Sequence, residues 1–430
     1  MFKPPKGTRD LEPDDMILRD KIIEKIKEIF ERYGYLPLIT PAFEELSTLT
    51  AKGGIGPEAV KQIYSFKDKA ERELGLIYDL TVPLVRYITT NPDIKLPFKR
   101  YQISRVWRYE DISKGRYREF WQADIDIVGS SSMLADSEII ACAIDAFKNI
   151  GFKNFIIRLN NRKILSALIE YAGVDKNKIE DVLRTIDKFD KIGRKGVEEE
   201  LLNIRKINKV SCDKILELIE IKGKPKDILK KAENIIKDIK IGIDGIKELN
   251  EIIFYLEKME AIDVIKIDFS LARGLDYYTG PIFEVFIEEN IGSLAGGGRY
   301  DKMIGLFSKK DIPAVGISLG LDRIVEIVKE KKIFELPKTN IKVFVIPVNK
   351  NLIPYALEIS QKIRKEKINC IIDLMNRKLS KNFEYANSQK IPFVIIIGEK
   401  EIKQNKLRLR DMVTGKEELL DMKDIIKKLK

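Results

Sequence analysis

Apolar and charged positions alternate at helical spacing over residues 14–33, with Asp14 and Asp15 as cap candidates ahead of them, and this predicts an amphipathic first helix. GYLPLITP then reads as a strand entering a sheet edge. From about Leu80 to Val128 the pattern is strand-like: FKRYQISRVWRYED and REFWQADIDIVG are two runs separated by the polar, glycine-containing DISKGRY, so a long antiparallel hairpin is expected. A helical period returns over residues 133–150 and dominates 160–260, where Ile, Leu, Lys and Glu abound and aromatics are few, as in a helical insertion. LARGLDYYTGPIFEVFI and the glycine-rich LAGGGRYDKM follow, then AVGISLGLDRIVEIV, which reads as strand, turn and helix. KEKKIFELPKTN has the charge and proline of a linker. Beyond it, IKVFVIPV, INCIIDL and PFVIIIG are short buried-strand runs between helical periods, predicting a small α/β domain with largely parallel pairing.

A chain of 430 residues, 44% hydrophobic and 34% charged, is long enough to bury cores in two or three globular domains. MFKPPKGTRD carries charges where a signal peptide needs an apolar run, and no stretch nears the roughly 18 to 20 apolar residues of a membrane span, so a cytoplasmic protein with no membrane partner is expected. Cys142, Cys212 and Cys370 are widely spaced and form no CxxC, which argues against disulfides and zinc fingers. The sequence has no histidine, which excludes a Ser-His-Asp triad, a histidine general base and any His-ligated metal. Chemistry is left to arginines, carboxylates, tyrosines or the substrate itself. The net charge of +11 favours polyanionic partners, and it is unevenly spread: residues 341–430 hold 20 basic and 11 acidic side chains, so +9 of it lies in the last 90 positions.

In the hairpin, Arg100, Arg105, Arg108, Arg116 and Arg118 accompany Glu110, Asp111, Glu119, Asp124 and Asp126. Surface salt bridging is the ordinary explanation for such a mixture. The alternation argues otherwise: if the loop preserves register, Arg108, Glu110, Phe120, Gln122, Asp124 and Asp126 share one face. That face is too charged to pack as core and suits a ligand with phosphates, a ring and an amino group. AGGGRYDKM permits close backbone approach but lacks the GxxxxGK[ST] of a phosphate loop. Arg273, beside Gly274 and near Asp276, Tyr277 and Tyr278, could equally cap a tyrosine corner, and Arg323 in SLGLDRIV could be a helix-surface arginine.

The order of these strings carries more than any one of them. KGTRD, the Pro41 stretch ITPAFEE, RVWRYEDISKGRYREFWQADIDIVG and GISLGLDRI resemble the opening and motifs 1, 2 and 3 of class II aminoacyl-tRNA synthetases. LARGLDYYTG and AGGGRYDKM resemble the two signatures of the histidyl-tRNA synthetase family, and DLTVPLVR resembles the eukaryotic and archaeal style of its amino-acid loop. The basic tail is similar to the anticodon-binding domain of that subclass, while the insertion matches by pattern rather than by text. The resemblance implies an α/β (α+β) fold. Its parts are a class II antiparallel-sheet catalytic domain over residues 1–325 with a helical insertion at about 160–262, a linker at 326–340, and an anticodon-binding domain at 341–430.

It also implies a ligase that activates L-histidine with ATP and transfers it to the 3′ end of tRNA(His), working as a homodimer with Pro41 in the interface string. On its motifs, Arg108 matches the arginine holding the ATP α-phosphate and Arg323 the one covering adenine and reaching the γ-phosphate. Glu110 and Arg116 match positions near the adenine edge and outer phosphates, and Phe120 the aromatic on which adenine stacks. Asp79, Thr81 and Gln122 match the groups around the substrate ammonium; Asp126 and Tyr278, with Tyr277 adjacent, match those around the imidazole. Arg273 matches a catalytic arginine placed against the α-phosphate and substrate carboxylate, where many class II relatives use a metal. Mg2+ is expected to accompany ATP, with Glu284 as its candidate ligand. Two other readings share this core, a regulatory paralogue of the ATP phosphoribosyltransferase type and a nonenzymatic RNA-binding or kinase-sensor module. The first usually lacks the anticodon domain and an intact LARGLDYY-like string, and the second has damaged ATP arginines.

Overall fold

The computed structural model describes residues 2–51, 57–112, 115–272, 277–287, 292–308, 310–334 and 339–430. The chain forms two compact units, one of Met1–Asp10 with Lys21–Phe334 and one of Leu11–Asp20 with Glu335–Lys430. Among the described residues the first unit is built on an eight-stranded sheet. In spatial order its strands are Leu36–Pro37, Phe98–Trp107, Glu119–Val128, Ala314–Gly320, Ala295–Arg299, Pro281–Phe286, Ile156–Asn161 and Ile265–Ile267. Pairing is antiparallel through the middle and parallel at the two edges.

The two faces of this sheet differ in kind because successive side chains point to opposite sides. Tyr101, Ile125, Ile317, Gly297, Phe283 and Leu159 align across the strands on one face. They are covered by helices Met133–Ile150 and Lys240–Lys258. Met133–Ile150 begins at Ser132, whose side chain accepts from the Leu134 amide, and ends at Gly151, whose φ of 116° suits a residue without a Cβ. The helix Pro13–Arg32 adds Ile22, Ile26, Ile29 and Phe30 at i, i+4 spacing to the buried apolar set.

The strand-like text after Leu80 conceals a helix, Thr81–Thr90. Its β-branched residues lower helix propensity, but Asp79 Oδ1 accepts from the Thr81 and Val82 amides at 3.2 and 3.0 Å, and Val82, Leu84, Val85 and Ile88 are buried. Capping and burial outweigh propensity here. The insertion holds helices Arg162–Tyr171, Ile179–Ile186, Phe189–Glu199, Lys209–Ile219 and Pro225–Ile235, most of them packed round a separate cluster that includes Leu165, Val182, Ile186, Val197 and Leu216. Its last helix, Lys240–Lys258, packs on helices Arg162–Tyr171 and Pro225–Ile235 of the insertion and also on the sheet and on Met133–Ile150. Strands Ile156–Asn161 and Ile265–Ile267 flank the insertion and pair with each other, so the chain leaves and re-enters the sheet at adjacent positions.

Among the described residues the second unit contains a five-stranded sheet ordered Cys370–Ile372, Val343–Pro347, Phe393–Ile397, Leu407–Asp411, Glu417–Leu420. The first three strands are parallel, as the apolar runs predicted. The last two are antiparallel and were not foreseen, because LRLRD and EELL alternate charged and apolar residues as half-exposed strands do. Helix Leu321–Lys331 takes up residues 326–331 of the expected linker, and 335–338 lie outside the described residues.

One buried ion pair joins the sheet to the helix behind it. Arg299, at the end of the glycine strand, donates through Nε to both carboxylate oxygens of Asp136 at 3.2 and 3.1 Å and is ion-paired to it through Nη2. Its remaining donors reach the Ser130 and Ser132 carbonyls at 2.9 and 3.2 Å and Asp301 at 3.1 Å. With every donor engaged in a dry site, deleting one partner strands the other. Arg299→Leu should therefore cost about 3–5 kcal/mol of stability, while Arg299→Leu with Asp136→Leu should recover much of the loss. Urea unfolding read by tryptophan fluorescence checks this, because both tryptophans, Trp107 and Trp121, lie in this sheet.

Candidate active site

The hairpin keeps the expected register. Arg100 pairs with Asp126, Gln102 with Asp124 and Ser104 with Gln122 across Phe98–Trp107 and Glu119–Val128, and the Arg108 amide bonds the Arg118 carbonyl beyond them. Following these residues onto the next strands gives two rows on the face opposite the core. One runs Arg100, Asp126, Gly316, Gly298, Ile282, and the other Gln102, Asp124, Ser318, Gly296, Glu284, Arg158. The middle of this face is floored by backbone. A Cβ at Gly316 would lie 2.0 Å from Asp126 Oδ1, and one at Gly298 would lie 2.8 Å from Tyr278 Cδ1. The glycines thus let a carboxylate and a tyrosine ring rest on the sheet itself.

The carboxylates of Asp79, Asp124 and Asp126 converge in the acidic end of this cleft, all buried. Asp126 accepts from the Tyr300 hydroxyl at 2.5 Å and lies 2.7 Å from Arg100 Nη2, which also donates to the Leu80 carbonyl at 2.9 Å. Burial raises all three carboxyls above the usual range, Asp124 to about 7. Arg100 opposes the rise at Asp124 and Asp126; the Val82 amide and Arg108 oppose it at Asp79. Burial also pushes the phenols of Tyr277 and Tyr300 well up, so both remain donors. The rings of Tyr277 and Tyr278 are 4.8 Å apart and those of Tyr277 and Tyr300 5.8 Å, and Thr81 hydrogen-bonds the Tyr277 hydroxyl. Among the described residues, Asp79 Oδ2, Gln122 Oε1, Asp124 Oδ1 and Asp126 Oδ2 are buried without a hydrogen-bond partner, the last facing Arg100 as an ion pair, while Gln122 Nε2 donates to Ser318 Oγ at 2.6 Å. A surplus of desolvated acceptors calls for a ligand that brings N–H donors.

Cations and rings line the other end. Arg108 is stacked between Tyr78 and Phe120, 4.2 and 5.1 Å from their centroids, and its Nε donates to the Tyr78 carbonyl at 3.1 Å. Arg116 and Glu110 are ion-paired at 3.5 Å near the hairpin tip. Arg323, on Leu321–Lys331, donates to the Ser293 carbonyl at 2.7 Å. The tip approaches this helix, since a Cβ at Gly115 would lie 2.8 Å from Glu326 Oε2 and 3.8 Å from Arg323 Cγ. Arg9 fastens the same place: it donates to Tyr117 Oη at 2.7 Å and to Asp322 Oδ1 at 2.9 Å, and Asp322 Oδ2 accepts the Trp121 amide at 2.6 Å. The arrangement sets cationic groups and aromatic faces beside an end rich in buried acceptors.

This order of parts is also what the comparisons find. A family model described as "Histidyl-tRNA synthetase" matches residues 7–324, and one described as "Anticodon binding domain" matches 342–430. The chain belongs to the histidyl-tRNA synthetase family. A histidine–tRNA ligase of Clostridium tetani is 39% identical over 99% of this chain and 97% of its own length; one from Pyrococcus horikoshii is 37% identical over 100% and 99%. The crystal structure of a histidyl-tRNA synthetase from Nostoc sp. PCC 7120 superposes with a TM-score of 0.88 at 32% identity, covering 100% of this chain and 99% of that one. The fold is accordingly the class II synthetase fold of this family.

Of the residues singled out from the sequence, Asp79, Thr81, Gln122, Asp126, Tyr277 and Tyr278 gather at the acidic end. Arg108 and Phe120 stand together, and Glu110, Arg116 and Arg323 lie where the hairpin tip approaches the following helix. Arg273 lies outside the described residues. Glu284 shares the face but is separated from Asp124 by two strands and is felt electrostatically by Arg158. Among the described residues no group of three or more His, Cys, Asp or Glu side chains could hold a metal ion. The reading missed the partners of Asp126: Tyr300 is separated from it by 174 positions, and Arg100 was noted only as one hairpin charge among several. The strand period could have found Arg100, which shares the phase of Asp126. Gly316→Ala should displace Asp126 and raise the KM for the acidic-end ligand at least tenfold, with a smaller change for ATP, as steady-state kinetics will show.

Proposed function

We propose that this cleft joins L-histidine to ATP and passes the histidyl group to the 3′ end of tRNA(His). The observation that carries the reading is the juxtaposition of desolvated acceptors at one end with stacked and ion-paired arginines at the other. The first suits an ammonium and a ring N–H, the second phosphates and adenine. Asp79, Thr81 and Gln122 take the ammonium; the imidazole lies between the acidic pair on the sheet and Tyr277 with Tyr278. Arg108 takes the α-phosphate with adenine on Phe120, Glu110 and Arg116 the adenine edge and outer phosphates, and Arg323 the far side of adenine and the γ-phosphate.

Activation is an in-line displacement: a histidine carboxylate oxygen bonds to the α-phosphorus, and the bond to the bridging oxygen breaks to release pyrophosphate. Both reactants are anions, so holding and neutralising them lowers the barrier without a protein base, consistent with a chain that has no histidine. Arg273 bridges the two anions. In the transfer step an adenylate phosphate oxygen takes the ribose proton. Glu284 is the side chain that would hold a Mg2+ brought with ATP, an ion that would neutralise phosphate charge there.

We assign residues 1–325 to the catalytic domain, 326–340, whose first six residues finish helix Leu321–Lys331, to the segment that links it onward, and 341–430 to an anticodon-binding domain whose +9 makes tRNA binding steeply salt-dependent. The protein works as a cytoplasmic homodimer. Among the described residues no helix is long and apolar enough to cross a membrane. Leu36, Ile39 and Phe43, around Pro41, are exposed apolar residues that a partner subunit would cover.

Only histidine should support ATP-dependent pyrophosphate exchange, since an apolar competitor leaves the buried acceptors unpaired and such sites discriminate by factors on the order of 10⁴. Equal exchange with leucine or glutamine would sink the assignment. Arg273→Lys should be nearly as damaging as Arg273→Ala, with about 10² to 10³ lost mainly from kcat, because an ammonium cannot bridge two anions as a planar fork does. Single-turnover adenylate formation beside a melting curve separates this from a packing role, for which turnover would stay near normal in a destabilised protein.

A further inference from the structure

The segment that leads to Arg273 is docked along one strand of the large sheet. Asp268 donates its amide to the Leu159 carbonyl at 3.1 Å and faces Arg158 Nε at 3.4 Å, while its Oδ1 accepts from the amide and hydroxyl of Ser270 at 2.9 and 2.6 Å. Asn160 Nδ2 then donates to the Leu271 carbonyl at 2.8 Å, and Arg162 Nη1 to the Ala272 carbonyl at 3.5 Å. Arg158 and Asn160 continue the two rows of the cleft face, beside Glu284 and Ile282. The Arg162 amide also donates to the Gly280 carbonyl at 3.0 Å. Asn160 and Arg162 therefore hold the chain on both sides of residues 273–276, which lie outside the described residues.

Leu271 and Ala272 are both buried, but in different cores. Leu271 packs in the cluster that holds Tyr277, Tyr278, Ile282 and Tyr300, and Ala272 in the insertion's cluster with Leu165, Val182 and Ile186. The chain passes from one core to the other immediately before Arg273. The side chains that grip this crossing are themselves held. Asn160 is fully buried, and its Oδ1 accepts from the Asn161 amide at 2.7 Å. Arg162 Nη2 donates to both oxygens of Glu180, on insertion helix Ile179–Ile186, at 3.1 and 2.9 Å. We propose that Asn160 and Arg162 are positioning residues for the activation step: they fix the carbonyls of Leu271 and Ala272, and hence the point on the chain from which Arg273 extends. The inference rests on the reading of Arg273 as the residue that bridges the two reacting anions. A guanidinium serves as a planar fork only where its backbone is fixed, and a displacement of about 1 Å can cost on the order of 10²-fold in rate.

The test uses the full chain and single-turnover adenylate formation, normalised to the folded fraction so that a loss of stability alone does not move it. Asn160→Leu keeps nearly the same shape without the donor, and should slow this step on the order of 10- to 100-fold with the KM for ATP within about twofold. Arg162→Met should act in the same direction and serves if Asn160→Leu does not fold. Combining either variant with Arg273→Ala shows how the loss arises. Residues that act through Arg273 should leave the double variant no more than about threefold slower than Arg273→Ala alone, whereas losses that multiply, as at independent sites, would overturn the inference. A folded Asn160→Leu or Arg162→Met within about twofold of the wild-type rate would overturn it as well. Should Arg273→Ala itself keep the wild-type rate, the reading of Arg273 falls instead.

Discussion

Strands Ala295–Arg299 and Ala314–Gly320 approach so closely, and carry so little beyond Cα on one face, that backbone itself becomes the floor of the cleft. On that face the tightest contact is at Gly316, where a Cβ would fall 2.0 Å from Asp126 Oδ1. Every later feature depends on this approach. Asp126 lies over Gly316 and Tyr278 over Gly298, where the glycines leave room for them. A single methyl group at these positions competes for the volume that the carboxylate and the phenol need.

Such a floor concentrates polar groups where water is scarce, and the two faces of the sheet handle this differently. On the core face Arg299 and Asp136 satisfy each other together with backbone carbonyls, so the pair is closed and structural. On the cleft face Tyr300 hydrogen-bonds one oxygen of Asp126 and Arg100 faces the other, but Asp79, Gln122, Asp124 and Asp126 each keep a buried oxygen without a hydrogen bond among the described residues. Buried polar groups left incomplete are a cost to the unliganded fold and a source of affinity and selectivity when the right donor arrives. The contrast between a closed network and an open one on opposite faces of one sheet distinguishes charges that build the protein from charges that a ligand can complete.

The arginines at the other end are pre-ordered by stacking and by carbonyls rather than by carboxylates alone. Arg108 is held between two rings and a backbone oxygen, and Arg323 donates to a carbonyl. Arg9 and Asp322 fix the chain's opening segment against Trp121 and the helix that bears Arg323. The hairpin and that helix are thereby set before any phosphate binds, which limits the reorganisation left to the reaction.

The sequence by itself determined the hairpin and its register, the helix Met133–Ile150, the insertion, the parallel strands of the C-terminal unit and, through the order of its motifs, the family. These are local or ordered signals: a period of two or 3.6, a turn, a string at a set distance from another. It also placed Arg108, Gln122, Asp124 and Asp126 on one face, since alternation along a strand requires no tertiary information. Only the tertiary structure decided that Thr81–Thr90 is a helix, because its β-branched text is overruled by the Asp79 cap and by burial. Only it could bring Tyr300 to Asp126 across 174 positions, pair Arg299 with Asp136 across 163, and leave Asp79, Gln122, Asp124 and Asp126 each with a buried oxygen that no described residue hydrogen-bonds. Those are facts about which strands become neighbours and how near their backbones come, and no pattern within a strand records them.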